Sequence, residues 1–264
     1  MTQESSDFYT FSNIRYAAPP TGDLRFAKPA LPKRDRSAIQ DGSVGRICPQ
    51  ATPAWGLTSQ QFVPLYLDSP ENFDVSVLEG LPGDDSGNSD GGDGDAEVPE
   101  APPPDPRETE DCLFLDVYVP ASIYNSQHGR RYRGRRKGAK VLVWVHGGGF
   151  VLGSKDITPA GLLELSGEVG DDGPIVFVSI NYRLGALGWS SGPSFEAAGG
   201  VSNVGLYDQR LALEWVRHYI HLFGGDGDDV TVIGQSAGGS SIMHHITVSL
   251  DALQPFFSGV RLRD

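Results

Sequence analysis

Val230–Gly239 reads VTVIGQSAGG: four residues rich in β-branched side chains, a sharp glycine-bearing turn, then the start of a helical stretch running to Leu250. VTVI is a short strand. The turn Gly234-Gln235-Ser236-Ala237-Gly238 is a G-x-S-x-G element lodged between that strand and that helix, and its position gives the pattern meaning. In such an elbow the serine is held in a strained backbone conformation that the flanking glycines permit sterically. Its hydroxyl then projects at the helix N-terminus. Without that context the pattern is weak, because a chain with 34 glycines produces it as an ordinary tight turn.

Upstream, Tyr207–Phe223 (YDQRLALEWVRHYIHLF) has helical spacing, with Leu211, Trp215, Ile220 and Phe223 near one stripe, and Gly224 and Gly225 supply its stop. Ile175–Asn181 (IVFVSIN) is almost continuously apolar, which predicts burial on both faces and an inner strand of a mostly parallel sheet. Leu113–Val119 (LFLDVYV) and Val141–His146 (VLVWVH) are two more strands, expected as neighbours because one loop joins them. The order strand, helix, strand, turn, helix predicts an α/β fold with right-handed crossovers.

His146-Gly147-Gly148-Gly149-Phe150 directly follows VLVWV. Consecutive glycines leave backbone N–H groups unshielded, so those of Gly148 and Gly149, with that of Ala237, can converge on a developing alkoxide. One such donor is worth roughly 3 to 4 kcal/mol of barrier. The bland alternative is a flexible loop. A phosphate cradle fits poorly, since neither G-x-x-x-x-G-K-[ST] nor G-x-G-x-x-G is present.

Composition narrows the classes. With 264 residues, 39% hydrophobic and 21% charged, the chain suits one substantial core and excludes fibrous or wholly disordered readings. Acidic residues outnumber basic ones 34 to 21, for a net charge of −13, which argues against nucleic-acid or anionic-lipid binding. No stretch has the ~18 uninterrupted apolar residues of a membrane span, and MTQESSDFYT lacks a signal-peptide layout. Residues 84–111 hold eleven acidic residues against one basic; within them, 84–106 is expected to be a disordered surface insertion, and its Asp spacing does not meet the calcium-loop pattern. Residues 128–140 carry seven Lys or Arg and no acid, expected as a solvated loop. Cys48 and Cys112 are too few for a zinc site or a disulfide scaffold, leaving two thiols or one bridge.

These segments together resemble the type B carboxylesterase family of lipases, cholinesterases and non-catalytic adhesion relatives. The resemblance runs through IRYAAPPTGDLRFAKPALP (Ile14–Pro32), EDCLFLDVYV (Glu110–Val119), VWVHGGGFVLG (Val143–Gly153), NYRLGALG (Asn181–Gly188) and Asn203–Gly239. It implies an α/β-hydrolase fold, a mostly parallel central sheet with flanking helices, and a partial domain over residues 1–264. It also implies that Ser236 is the acyl-forming nucleophile, that Gly148, Gly149 and Ala237 form the oxyanion hole, that Cys48 pairs with Cys112, and that Arg25–Glu110 and Arg183–Asp208 are structural salt bridges. The implied function is carboxylic ester hydrolysis on a small-molecule or lipid ester, with no metal or organic cofactor and no membrane span. Secretion is expected if the gene supplies a signal peptide.

The pattern breaks after the elbow. The family supplies an acid and a base C-terminal to the nucleophile. Here 28 residues follow Ser236, and His244 and His245 lie on the helix leading away from it, suited to packing or exposure. His146 is expected to bond structurally. The start carries little of the family's opening hairpin and FFSGVRLRD (Phe256–Asp264) departs from the resemblance, so a fragment is expected, with Val230–Ile233 at an open sheet edge. Gln235 stands where cholinesterases carry Glu, and no Trp precedes Glu110, which favours neutral esters. An inactive binding or adhesion protein of the same fold explains the missing partners as well; retention of Ser236 speaks against it.

Overall fold

The computed structural model describes residues 2–5, 8–34, 41–51, 63, 66–68, 70–72, 104–128, 138–168 and 173–247. Six strands form one sheet: β1 (Thr2–Ser5), β2 (Phe8–Arg15), β3 (Phe114–Pro120), β4 (Ala139–Val145), β5 (Val176–Ile180) and β6 (Gly225–Gly234), in the order β1-β2-β3-β5-β4-β6. The β1–β2, β2–β3 and β3–β5 pairings are antiparallel, and β5–β4 and β4–β6 are parallel. Strands β2, β4, β5 and β6 therefore run the same way. The chain opens with a hairpin of β1 and β2, more of one than its sequence led us to expect. β6 is the last strand of the sheet and pairs with β4 alone among the described residues.

One expectation is overturned: β3 and β4 are not neighbours, because β5 lies between them. Their connection is no tight hairpin but contains the helix α1 (Ala121–His128). β5, buried at all five positions, takes the inner place that its apolar run demands.

Side-chain alternation splits the core. Leu115, Val117 and Val119 of β3, Val141, Val143 and Val145 of β4, and Val176, Val178 and Ile180 of β5 pack on one face. The helix α5 (Val204–Tyr219) covers them with Ala212, Leu213 and Val216, followed by Ile220, and α6 (Ala237–Thr247) adds Ile242. Each fully buried residue of this kind is worth about 1.5 to 3 kcal/mol. The opposite face holds Phe8, Tyr118 and Phe177 under Leu163 of α2 (Ala160–Glu168). Between α2 and α5 come the short helices α3 (Gly185–Trp189) and α4 (Pro193–Ala197). Helices thus flank both faces, as in an α/β-hydrolase.

Gly224, at φ +91°, ends the turn after α5, and Gly225 opens β6 where a Cβ would lie 2.7 Å from Ile220 and Val141. Cys48 and Cys112 form a disulfide, both within the core. Closing a loop of that separation, 64 residues, restricts the unfolded chain by roughly 4 kcal/mol on the entropic account. Residues 1–50 with 106–264 make one compact unit and residues 51–105 a second, of which the 3-10 turn Pro70–Asn72 is described. The acidic stretch 84–103, the basic loop 129–137 and the C-terminal 248–264 lie outside the described residues.

Candidate active site

Ser236 sits between β6 and α6 with φ +53°, in the left-handed region that a non-glycine residue enters at a cost of about 1 to 2 kcal/mol. The strain is held by neighbours. Gly238 donates its N–H to Gln235 O at 2.9 Å, and Ser240 donates to Ser236 O at 2.9 Å. Both flanking glycines are required: a Cβ on Gly238 would overlap Val145 O, and one on Gly234 would overlap the Gly238 carbonyl. The helix therefore starts against the end of the strand, and Ser236 is left exposed at the N-terminus of α6.

The glycine loop after β4 lies against this elbow. A Cβ on Gly147 would overlap the Gln235 side chain and lie 2.6 Å from Gln235 O, so Gly147 is where the two turns touch. Gly148, Gly149 and Phe150 have φ of +102°, +60° and +66°, a run in the left-handed region that turns the chain sharply. Gly149 is exposed, with a Cβ there meeting the Val151 side chain at 4.0 Å, and the N–H groups of Gly148, Gly149 and Ala237 donate none of the turn hydrogen bonds found among the described residues. Phe150 packs on Trp189, with ring centroids 4.2 Å apart, and its carbonyl accepts from Gly185 N at 2.8 Å.

His146 lies beneath the loop and not at its mouth. It is buried, its ring stacked on Tyr182 at 4.4 Å, with Nδ1 2.8 Å from Gly147 O, and Tyr182 donates its hydroxyl to His146 O at 2.7 Å. Burial pushes its pKa down to about 4, so the ring is neutral near pH 7. His245 is also buried. Its Nε2 lies 2.8 Å from Gln209 Oε1 and its Nδ1 accepts from Arg210 Nε at 3.4 Å, while burial and the Arg210 charge hold its pKa at about 4. Gln209 donates to Ser241 Oγ at 3.1 Å, and Ser241 donates to Ala237 O at 2.9 Å. This chain ties α5 to the first residue of α6, behind Ser236. His244 is exposed.

Arg183 and Asp208 meet at 2.7 Å in the interior, whereas Arg25 and Glu110 meet at 2.6 Å near the surface. The sequence reading missed a second interior pair, Lys155 with Asp116 at 2.9 Å, their side chains 2% and 6% exposed. It missed the Gln209–Ser241–His245 chain as well. Lys155 and Gln209 are weak signals by themselves; the residues that explain them, Asp116 and Ser241, lie 39 and 32 positions away along the chain.

A strained serine at a strand–helix elbow, faced by a glycine loop on a sheet flanked by helices, defines an α/β-hydrolase. The family model described as the carboxylesterase family matches residues 1–258. The chain belongs to that family. It is 42% identical over 259 residues to carboxylesterase patB of Aspergillus clavatus, covering 97% of this chain and 44% of that protein. It is 47% identical over 150 residues to a secreted lipase of Arthroderma benhamiae, covering 56% of this chain and 28% of that protein. A solved structure titled as a thermophilic pNB esterase superposes with a TM-score of 0.60 at 28% identity, covering 98% of this chain and 41% of that one. The chain thus spans less than half the length of these relatives.

Proposed function

We propose that the whole protein is a carboxylic ester hydrolase working through an acyl-serine intermediate on Ser236. The observation that carries this reading is the left-handed Ser236 exposed at the N-terminus of α6, with Gly147, the residue before Gly148 and Gly149, set against Gln235 of the same elbow. In the proposed reaction, Ser236 Oγ attacks the ester carbonyl carbon as a base takes its proton, and the carbonyl oxygen becomes an alkoxide bonded by the N–H groups of Gly148, Gly149 and Ala237. The carbon–oxygen bond to the alcohol then breaks, the alcohol leaves with that proton, and water hydrolyses the acyl-serine. Neither ring nitrogen of His245 is free to serve as the base, since Gln209 and Arg210 occupy both. The base and its acid are left unassigned among the described residues.

The substrate class is a neutral ester, small or lipid. Gln235 puts an uncharged amide beside the nucleophile, and the relatives are named carboxylesterase and lipase. The secreted lipase among them supports an extracellular setting, and no described helix is long and apolar enough to cross a membrane. Hydrolysis of 4-nitrophenyl esters of increasing acyl length by the whole protein tests the reading. Turnover that the Ser236→Ala substitution abolishes is expected; undiminished turnover in that variant removes Ser236 from the mechanism.

A further inference from the structure

We infer that Gln50 is a positioning residue of the glycine loop and that the Cys48–Cys112 disulfide holds it in place. The loop from His146 to Gly153 has three consecutive residues at positive φ in its middle, so no regular ladder supports it and its ends must be gripped from outside. The near end is held by the Tyr182 hydroxyl on His146 O. At the far end a single side-chain amide does the work. Gly153 donates its N–H to Gln50 Oε1 at 2.7 Å, and Gln50 Nε2 donates back to Gly153 O at 3.1 Å.

That reciprocal pair imitates a strand pairing on one residue. Gly153, at φ +104°, has no room for a side chain, since a Cβ would overlap the His146 ring; it is pinned between that ring and the Gln50 amide. Gln50 is itself fixed. Its Nε2 also donates to Cys48 O at 2.6 Å and its backbone N–H to Glu108 Oε2 at 3.0 Å. The disulfide carries the tether on to Cys112, whose carbonyl accepts from Asn181 Nδ2 at 3.0 Å, and Asn181 Oδ1 in turn accepts from Lys155 N at 2.8 Å. A closed circuit of hydrogen bonds and one covalent bridge thus leaves the loop's end at Gly153 and returns to it at Lys155.

The chain departs for residues 51–105 immediately after Gln50 and returns at Pro106, and Arg107 bonds Asp156. Both points of attachment therefore bond to residues 153–156. The disulfide lies at the base of that excursion and is part of the support of the oxyanion backbone, beyond its entropic effect on the unfolded chain.

The catalytic consequence rests on the acyl-serine reading; the positioning itself does not. The test uses the whole protein with Gln50→Met, which keeps the volume and loses both polar arms, and Gln50→Glu, which keeps the acceptor. Hydrogen exchange at the Gly153 amide reads positioning, and kcat against KM for 4-nitrophenyl butyrate reads its effect. Displacing oxyanion donors by a fraction of an ångström is expected to lower kcat about tenfold in Gln50→Met, with KM changed less than about twofold. Loss of the local bond is expected to speed Gly153 exchange at least about tenfold, with Gln50→Glu intermediate on both readouts. Reducing the disulfide should reproduce these changes in the unsubstituted protein and add little in Gln50→Met. Exchange and kcat both unchanged in Gln50→Met overturn the role of Gln50. Reduction that slows Gln50→Met as much as the unsubstituted protein overturns the coupling to the disulfide. If the unsubstituted protein hydrolyses no ester, the acyl-serine reading fails, and the exchange measurement still decides the positioning.

Discussion

Arg183 and Arg25 each close a two-pronged hydrogen bond on a carboxylate, at 2.7 and 2.7 Å in the first case and 2.6 and 2.9 Å in the second. Their surroundings differ. The Arg183 and Asp208 side chains are 3% and 0% exposed, those of Arg25 and Glu110 45% and 30%. Arg183 spends its remaining N–H groups on the carbonyls of Leu24, Arg25 and Ala27, and its backbone N–H on Asp208, so every donor of a buried guanidinium is used. The buried pair thus builds the segment from which Arg25 reaches out. The Arg183 carbonyl accepts from Trp189 Nε1, and the Trp189 ring packs on Phe150 of the glycine loop. Two pairs alike in geometry differ in work: one organises backbone next to the site, and the other sits in solvent, where water and salt compete with it.

The hardest test of that contrast is Asp208→Ala. Removing one partner strands a buried guanidinium, and unfolding by urea should show a loss of about 3 to 5 kcal/mol. Acid extends the contrast to buried neutral groups. His146 and His245 have folded pKa values of about 4 against an ordinary 6.5, so the folded state binds fewer protons than the unfolded one. The stability each confers is present in full above the ordinary value and is lost as the pH falls from there through about 4. It amounts to about 3 kcal/mol per histidine, and melting followed from pH 7 to pH 4 checks it. A flat profile over that range would contradict neutral burial.

Lys155→Met sharpens the comparison at intermediate cost. Burial raises the Asp116 pKa and Lys155 pulls it back, so removing the lysine lets the carboxyl escape its isolation by taking a proton. A loss of about 1 to 3 kcal/mol is expected at pH 7, with part of it recovered as the pH falls toward the raised pKa. A loss that deepens with acid would place the charge elsewhere. Arg25→Ala should have the smallest effect of the four, and one that shrinks further in 0.5 M salt, on the order of one Debye length of about 4 Å. An effect matching that of Asp208→Ala would erase the distinction between the two pairs.

The same contrast explains what could be read from the chain alone. The strands at Phe114–Pro120, Ala139–Val145 and Val176–Ile180 announce themselves because short apolar runs rich in β-branched and aromatic residues suit a buried sheet. β6 starts at Gly225, not Val230, a start that the low strand propensity of GDGDD conceals: Gly225 pairs with Ala139 of β4, the register shifts, and the parallel pairing resumes at Val230 opposite Val141. The neighbour relation of β3 and β4 was misread because adjacency in sequence does not reveal which strand is inserted between them. On α5, Leu211 and Trp215 are partly buried, and the face that packs deepest includes Asp208 and Gln209. Asp208 was legible through the family resemblance, which pairs it with Arg183, whereas Gln209 signals solvent until its partner 32 residues away, Ser241, is known. The elbow and the glycine loop were legible because steric demands leave glycine as the residue that fits. Gln50, Lys155, Asp116 and His245 were not, since any of these types serves equally well on a surface.

Labelling of the whole protein with an alkyl fluorophosphonate, read by intact mass and peptide mapping, tests the role of Ser236 most directly. One adduct is expected, on the peptide carrying Ser236, with loss of ester hydrolysis in step with its formation and no adduct in Ser236→Ala. An adduct on another residue, or ester hydrolysis that persists in the fully labelled protein, would contradict the assignment of Ser236 as nucleophile.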